Sequence, residues 1–373
     1  MLHFRLGLDF IVDQHGNFHV IEVNGIHSGT VHWGLRKNLE FHKDELARIC
    51  SYASGKAILV QEANPLMSHN EYITDAGVFC LEWPGIETIA RQNGLPVYVF
   101  NKIGVFDGNK ILIDYSQFGV NECVIIDPSD IGVLVYEGSY EQSAVENILG
   151  FDRLINPFLI EALTWDKVLS GTMLKGTAIA TMVPDFLWTY GPPDARDVFT
   201  AFEKLRAEKI VVKPAGGCRG TSIYIFDISD PGIERRCNEM VGVAGPAEIR
   251  SRIVSNGKWV VQPFISSKQY VVQKYVAGHP TIAQHLGCYR VLCHGPVGLE
   301  GYLRLSRTPA TEIDISDDSR IVNGARGAIP NEIPEDTRDA IIQAAGDISG
   351  AFSEAAVRTN LSELEKRSQA YRL

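Results

Sequence analysis

The feature that most constrains the fold is a hairpin signal within the first twenty-five residues. Alternating apolar and polar residues at 7–13 and 20–24 flank the turn-forming residues 14–17 (QHGN). This pattern predicts two strands joined by a tight turn. Residues two apart share one face of a strand, so Glu22 and Asn24 should project together, and Asp9 can meet them from the partner strand. Two carboxylates and an amide oxygen suit Mg²⁺. The alternative is an ordinary edge hairpin whose polar residues face water.

Composition indicates a soluble globular protein. The chain has 373 residues, of which 45% are hydrophobic and 21% charged, enough for two or three packed units. No long apolar run and no basic leader followed by an apolar stretch is present, so we expect no membrane span, no signal peptide and a cytoplasmic location. The net charge of −10 disfavours nucleic acid as a partner. Seven scattered cysteines without a CxxC pair argue against a disulfide framework or a zinc site.

The order of predicted elements suggests several units along the chain. The hairpin is followed by a predicted helix at about residues 35–53. Short β-branched runs from Lys56 onward predict an α/β unit with a largely parallel sheet. A helix-rich link follows from Asn156, then a unit of five further strands between about 201 and 329, and a helix from Glu335. The expected boundaries are 1–54 for the hairpin and helix, 55–155 for an α/β substrate domain, 156–360 for a nucleotide-binding domain and 361–373 for a charged C-terminal tail.

Two segments suggest a nucleotide. Lys213 ends a predicted strand and precedes a glycine-rich loop at 216–221, whose backbone N–H groups can fold over polyphosphate while the lysine neutralises charge. A plain turn between strands is the alternative. The apolar strand at 260–265 can offer backbone groups to an adenine edge, and by itself it reads better as a core strand leaving a sheet.

Arginines mark a third segment. Arg290 and Arg304 each stand in a strand among apolar neighbours, where a guanidinium requires an anionic partner such as phosphate or carboxylate. A strand arginine that faces solvent is the alternative. The small-residue loop at 322–328 carries one cation, Arg326, and is a weak signal when considered separately.

In combination and order these segments resemble the ATP-grasp superfamily, most closely the glutathione synthetases. The resemblance covers roughly residues 156–348 together with 7–24. It implies that Lys167 and Lys213 contact nucleotide phosphate, that the loop covers the phosphates, and that the hinge at 261–265 binds adenine, although Gln262 and Pro263 replace the acidic residue often found there. The implied cofactor-binding residues are Lys167, Lys213, Gly216, Gly217, Arg219, Gly220, Thr221, Gln262, Phe264 and Ile265. The implied metal ligands are Asp9, Glu22 and Asn24, and the implied catalytic residues are Arg290, Arg304 and Arg326.

One departure from the family concerns motif order. ATP-grasp proteins normally place the metal hairpin after the arginine strands and a final helix, whereas here the hairpin comes first. The fold implied is therefore α/β, with α+β character in the grasp lobes: a circularly permuted ATP-grasp fold with a Rossmann-like pre-ATP-grasp domain. Phe4 should then lie near the end of the last helix. The Lys-Pro pair at 213–214 lacks the acidic ligand that follows it in the permuted eukaryotic glutathione synthetases, so Asp9 has to supply that ligand.

The activity implied by the resemblance is ATP-dependent carboxylate–amine ligation through an acyl phosphate. Its cofactors would be ATP and Mg²⁺, with Mn²⁺ as the alternative metal, and its substrates would be amino acids or small peptides. No nucleic-acid or membrane partner is expected, and self-association as a homodimer stays open. Two other readings also stay open: a small-molecule kinase on the same scaffold, and a non-catalytic ATP-binding regulatory module.

Overall fold

The structure of the protein, a computed structural model, has an α/β fold. It describes residues 4–25, 47–61, 94, 96–117, 120–135, 143–216, 222–242, 257–276, 279–306, 309–310 and 329–373. The strands are β1 Arg5–Val12, β2 Phe18–Asn24, β3 Ala57–Gln61, β4 Val97–Phe106, β5 Lys110–Gln117, β6 Val120–Ile126, β7 Ile131–Val135, β8 Leu154–Ile155, β9 Leu187–Tyr190, β10 Lys209–Pro214, β11 Tyr224–Asp227, β12 Lys258–Pro263, β13 Gln269–Val276, β14 His279–His294, β15 Val297–Leu305 and β16 Ile329–Asn331. The helices are α1 Ser143–Leu149, α2 Phe158–Trp165, α3 Lys167–Leu174, α4 Ala195–Leu205, α5 Ile233–Gly242, α6 Glu335–Val357 and α7 Leu361–Ser368.

The N-terminal hairpin belongs to the largest core of the protein. Its sheet has the order β16-β15-β14-β1-β2, with β13 paired to β14. β1 runs antiparallel to β14, and Asp9 lies opposite Arg290 although 281 positions separate them in sequence. This confirms that the hairpin lies beside the arginine strands. The predicted turn is also confirmed, with Gly16 at φ +85°.

The alternation in β1 explains why it is an interior strand. Leu6, Leu8 and Phe10 are fully buried in one hydrophobic core with residues of β14, β15 and the long helix α6. Burial of such side chains stabilises the fold by about 1.5–3 kcal/mol each. The opposite face of β1 carries Asp9 and faces the candidate site.

The predicted position of the first residues relative to the last long helix is confirmed. Phe4 is buried in the same core as Phe352 near the end of α6. Its carbonyl accepts a hydrogen bond from the N–H of Gly295, whose own carbonyl accepts one from Ser349 Oγ on α6. Whether the motif order represents a circular permutation stays a prediction.

A second sheet of four antiparallel strands has the order β11-β10-β12-β9 and is packed against α4 and α5. β12 ends at Pro263, and β13 of the large sheet begins at Gln269. The intervening residues are therefore a connection between two sheets, as predicted for the hinge. Phe264 still donates its backbone N–H to the carbonyl of Lys209, which holds the start of this connection against β10.

The third sheet corrects one expectation. Its order is β6-β5-β4-β3-β7-β8, and it is mixed rather than largely parallel. β3 pairs in parallel with β4 and β7, whereas β4, β5 and β6 form an antiparallel meander. Asp107 and Gly108 adopt positive φ and reverse the chain between β4 and β5. An Asp-Gly pair between alternating apolar runs is a hairpin signal, and the largely parallel prediction overlooked it.

Two further observations concern the helices. The predicted helix at 35–53 is described only over residues 47–53, which are helical, and its predicted start lies outside the described residues. Among the parts of the chain that the structure describes, no helix is long and apolar enough to cross a membrane.

Candidate active site

Charged side chains from both the large sheet and the four-stranded sheet converge on the polar face of the hairpin. Lys213, at the end of β10, places its Nζ 3.3 Å from the carbonyl oxygen of Ile21 on β2. Lys167, the first residue of α3, places its Nζ 3.0 Å from Glu22 Oε1 and 3.3 Å from the carbonyl oxygen of Ala215. The two predicted phosphate lysines therefore meet over β2.

Asp9 is the anionic partner that the buried arginines require. Arg290 Nε lies 2.6 Å from Asp9 Oδ1, and Arg290 Nη2 lies 2.6 Å from Oδ2. Arg304 Nη2 lies 2.7 Å from the same Oδ2. Burial alone would raise the pKa of Asp9, but the two guanidiniums outweigh it and lower the pKa to about 2. Asp9 is therefore a carboxylate throughout the physiological range.

Arg304 has an unused donor. Its side chain is 5% exposed, and its Nε has no hydrogen-bond partner among the described residues. Its Nη2 also lies 3.4 Å from the Sγ of Cys288, which was not predicted as a site residue. The signal in the sequence was the spacing: Cys288 stands two residues before Arg290 and shares its strand face. A buried guanidinium with a spare N–H is suited to receive a further anionic oxygen.

The pKa of Lys213 lies closer to pH 7 than that of an ordinary lysine. This residue is 5% exposed, and burial, followed by the positive charge of Lys167, lowers the pKa of Lys213 to about 8. The charges of Glu22 and Asp9 oppose this shift only in part. A polyanion placed against Lys213 would favour its protonated form.

The hairpin offers two oxygen donors that fit a hard cation. Glu22 and Asn24 share one face of β2, and Asp9 lies directly opposite Glu22. Asn24 donates Nδ2 to the carbonyl of Gly7 at 3.2 Å, which leaves its Oδ1 available. Asp9 fits less directly, since three guanidinium N–H groups already occupy its oxygens. Within the described residues no cluster of three or more His, Cys, Asp or Glu side chains is placed to hold a metal.

A cleft of about 450 Å³ opens beside the hinge. Its lining includes Lys209 and Phe264 on one side and Gln269 and Leu286 on the other. Leu286, Cys288 and Arg290 alternate along β14 and share one face. Four residues of strand span about 13 Å. Leu286, which lines the cleft, and Arg290 are therefore separated along one face of β14 by about the length of an extended nucleotide.

The structure brings together seven of the predicted site residues in the charged cluster on the hairpin: Asp9, Glu22, Asn24, Lys167, Lys213, Arg290 and Arg304. Gln262 is a buried member of β12 opposite Val211, and Phe264 and Ile265 lie in the hinge. Gly216, at the start of the predicted loop, is buried directly after Ala215. The predicted residues that lie outside the described part of the chain are Gly217, Arg219, Gly220, Thr221 and Arg326.

No protein-family model matches the chain, and no curated protein matches it. Solved structures similar to it include one from Methylobacillus flagellatus KT, provisionally described as a gamma-glutamylcysteine synthetase, with 10% identity, 97% and 90% coverage of the two chains and a TM-score of 0.49. D-alanyl-alanine synthetase A from Vibrio cholerae has 10% identity, coverage of 80% and 81%, and a TM-score of 0.40. A RimK domain ATP-grasp protein from Sphaerobacter thermophilus has 12% identity, coverage of 80% and 98%, and a TM-score of 0.34.

ATP-grasp ligases, the group that the motifs resemble, are thus among the structures similar to this chain. At identities of 10–12% and TM-scores below 0.5, such similarities carry no weight for activity, substrate or mechanism. The case for a function rests on the side chains of the site.

Replacing Asp9 with Asn tests the ion cluster. Asp9→Asn keeps the volume but removes the carboxylate charge that two buried guanidiniums share, so we expect the free energy of unfolding to fall by about 3–5 kcal/mol. Asp185→Asn is the matched control, because Asp185 forms a surface pair with Lys175 and is 80% exposed, and such pairs contribute about 1 kcal/mol or less. Urea unfolding at pH 7 measures both changes. Equal losses in the two variants would contradict the role given to Asp9.

Proposed function

We propose that the protein is an ATP-dependent carboxylate–amine ligase that forms an amide bond through an acyl phosphate. The observation that carries this proposal is the convergence of Lys167, Lys213, Arg290 and Arg304 in one largely buried cluster with Asp9 and Glu22. A polyphosphate is a ligand suited to such a cluster of cations.

In this proposal the nucleotide lies along the face of β14 that carries Leu286, Cys288 and Arg290. The cleft beside Phe264 and Leu286 takes the base, because it lies beside the hinge and is partly apolar. The lysines take the phosphates, and Arg290 lies about 13 Å along β14 from Leu286. Arg290 and Arg304 then lie beyond the lysines, where the acceptor carboxylate would approach the terminal phosphate.

The reaction proceeds in two steps. An oxygen of the substrate carboxylate attacks the γ-phosphorus, the bond from that phosphorus to the β,γ-bridging oxygen breaks, and ADP leaves with the electron pair. The amine then attacks the acyl carbon, inorganic phosphate leaves, and the amine loses a proton to give the amide. Phosphoryl transfer needs little covalent participation from the protein, so positioning and charge neutralisation dominate. The spare Nε of Arg304 is available to the acyl phosphate.

Glu22 and Asn24, together with the nucleotide phosphates, are the donors that would hold Mg²⁺, and Asp9 remains the third candidate. When bound, the metal would neutralise phosphate charge and orient the γ-phosphate. Glu22 now pairs with Lys167, so a bound cation and Lys167 would share its carboxylate. Asp9 meanwhile keeps both guanidiniums aimed into the site until substrate anions engage them.

Trapping with hydroxylamine tests the ligase assignment. Wild-type protein is incubated with MgATP, hydroxylamine and each member of a panel of amino acids and dipeptides. Because hydroxylamine captures an acyl phosphate, we expect a hydroxamate to form from at least one carboxylate of the panel. Arg304→Lys keeps the charge but loses the planar fork, and should lower kcat by about a hundredfold while nucleotide affinity stays within threefold. The matched control is Arg338→Lys, which alters a surface pair with Glu300 and should leave kcat unchanged.

Two outcomes of the trapping experiment would contradict the proposal. A stable phosphoester and ADP, without hydroxamate from any carboxylate, would support a kinase. Nucleotide binding without turnover of any substrate pair would support a regulatory module.

Nucleotide affinity should depend on the protonation of Lys213. With its pKa lowered to about 8, Lys213 is mostly protonated at pH 7 and mostly neutral at pH 9, and phosphate binds the protonated form. The Kd for ADP, measured by calorimetry without magnesium, should therefore rise above pH 8, by up to about tenfold per pH unit. Lys213→Arg stays charged and should bind with nearly constant Kd from pH 7 to 9. Parallel pH profiles for the two proteins would be inconsistent with a phosphate contact by Lys213.

A further inference from the structure

A group of three charged side chains, of which Lys258 and Asp166 are buried and Glu365 is partly exposed, lies next to Lys167 in the fold. Lys258, the first residue of β12, is fully buried, and its Nζ lies 3.1 Å from Asp166 Oδ2. The same Nζ lies 2.7 and 2.9 Å from the two carboxylate oxygens of Glu365 on α7. Burial lowers the pKa of Lys258, but the charges of Asp166 and Glu365 outweigh this effect and raise it. Lys258 is thus a cation between two carboxylates.

This group controls where α3 begins. Asp166 is the N-cap of α3, and its Oδ1 accepts hydrogen bonds from the N–H groups of Val168 and Leu169 at 2.9 and 3.2 Å. One carboxylate oxygen thus caps the helix while the other receives Lys258. Since a cap fixes the first turn, the position of Lys167 as the first helical residue depends on how Asp166 is held.

The backbone completes the connection between the two lysine segments. Ala215 donates its N–H to the carbonyl of Lys258 at 2.9 Å and accepts the N–H of Lys167 at 3.2 Å. Ala215 stands two residues after Lys213 and directly before Gly216. Lys258 therefore contacts the N-cap of the Lys167 helix through its side chain and the segment after Lys213 through its backbone.

The charges of the two lysines and of the group around Lys258 also bear on this arrangement. Lys167 and Lys213 repel each other, as the lowered pKa of Lys213 records. Burial raises the pKa of Asp166 and the charge of Lys258 opposes this increase, so Lys258 favours the ionised form of the carboxylate that caps α3.

We propose that Lys258, held between Asp166 and Glu365, is a positioning residue that sets Lys167 against the nucleotide phosphates, and that α7 is thereby part of the phosphate-binding apparatus. This inference rests on the proposed function, because it assumes that Lys167 binds phosphate. The C-terminal segment is well anchored for such a role. Trp188 Nε1 donates to the carbonyl of Ser368 at 2.7 Å, and Leu373 donates its N–H to the carbonyl of Trp188 at 2.9 Å.

The sequence did not predict that these three residues would meet. Positions 166, 258 and 365 belong to a helix cap, a strand and the segment interpreted as a charged tail. Only folding brings them together. Glu365 looks like any other acidic residue of an amphipathic helix until its contact with Lys258 is known.

The test compares two glutamates on α7. Glu365→Gln keeps the volume but removes one counter-charge of Lys258. Glu363→Gln is the control, because the side chain of Glu363 is 64% exposed and its Oε2 lies 3.9 Å from Lys366 Nζ. The probe is inorganic tripolyphosphate, with its Kd measured by calorimetry on the full chain. We expect Glu365→Gln to raise the Kd about tenfold, as for other outer partners of binding groups, and Glu363→Gln to change it less than twofold.

A double-mutant cycle separates positioning from general destabilisation. In a Lys167→Met background, Glu365→Gln should raise the Kd less than twofold, because the contact that it positions is already absent. Lys258→Met provides a second variant and should behave in the same way, with circular dichroism confirming the fold of each protein. An equal effect of Glu365→Gln with and without Lys167, or no effect in either, would overturn the inference. Absence of tripolyphosphate binding by the wild-type protein would instead show that the proposed function itself is wrong.

Discussion

The rest of the site depends on the carboxylate of Asp9 between the guanidiniums of Arg290 and Arg304. Desolvating two guanidiniums is costly unless an anion meets them, and β1 supplies that anion by pairing with β14 in a register that sets Asp9 opposite Arg290. A shift by one residue would turn Asp9 into the apolar core and Phe10 out of it. Core packing and ion pairing therefore demand the same register, and this agreement fixes the N-terminal hairpin in the sheet.

The hairpin in turn links the large sheet to the four-stranded sheet. Lys213 reaches a carbonyl of β2, and Lys167 reaches Glu22, so β2 contacts both predicted phosphate lysines. The protein holds these two side chains together in a site where burial and the charge of Lys167 lower the pKa of Lys213. Such an arrangement costs stability in the free protein and favours binding of an anion that relieves it. The same contacts that join the sheets thus make the site suited to a polyphosphate.

Local patterns predicted a large part of this arrangement. Alternation around residues 14–17 predicted the hairpin, and isolated arginines among apolar residues predicted an anionic partner, although not that Asp9 would be that partner. The antiparallel meander of β4 to β6 was missed because the Asp107-Gly108 turn was overlooked. The group of Lys258, Asp166 and Glu365 could not be predicted, because its members share no motif and meet only through tertiary packing. Sequence reasoning therefore identified the charged residues of the cluster better than those that hold them in place.

The most direct test of a shared phosphate site is a crystal structure with a non-hydrolysable ATP analogue and magnesium. The account predicts terminal phosphate oxygens within about 3.2 Å of Lys213 Nζ, Lys167 Nζ and the guanidinium of Arg290, with the base in the cleft beside Phe264 and Leu286. A triphosphate bound away from the hairpin, or bound in the reverse orientation with its base against Asp9, would contradict the account.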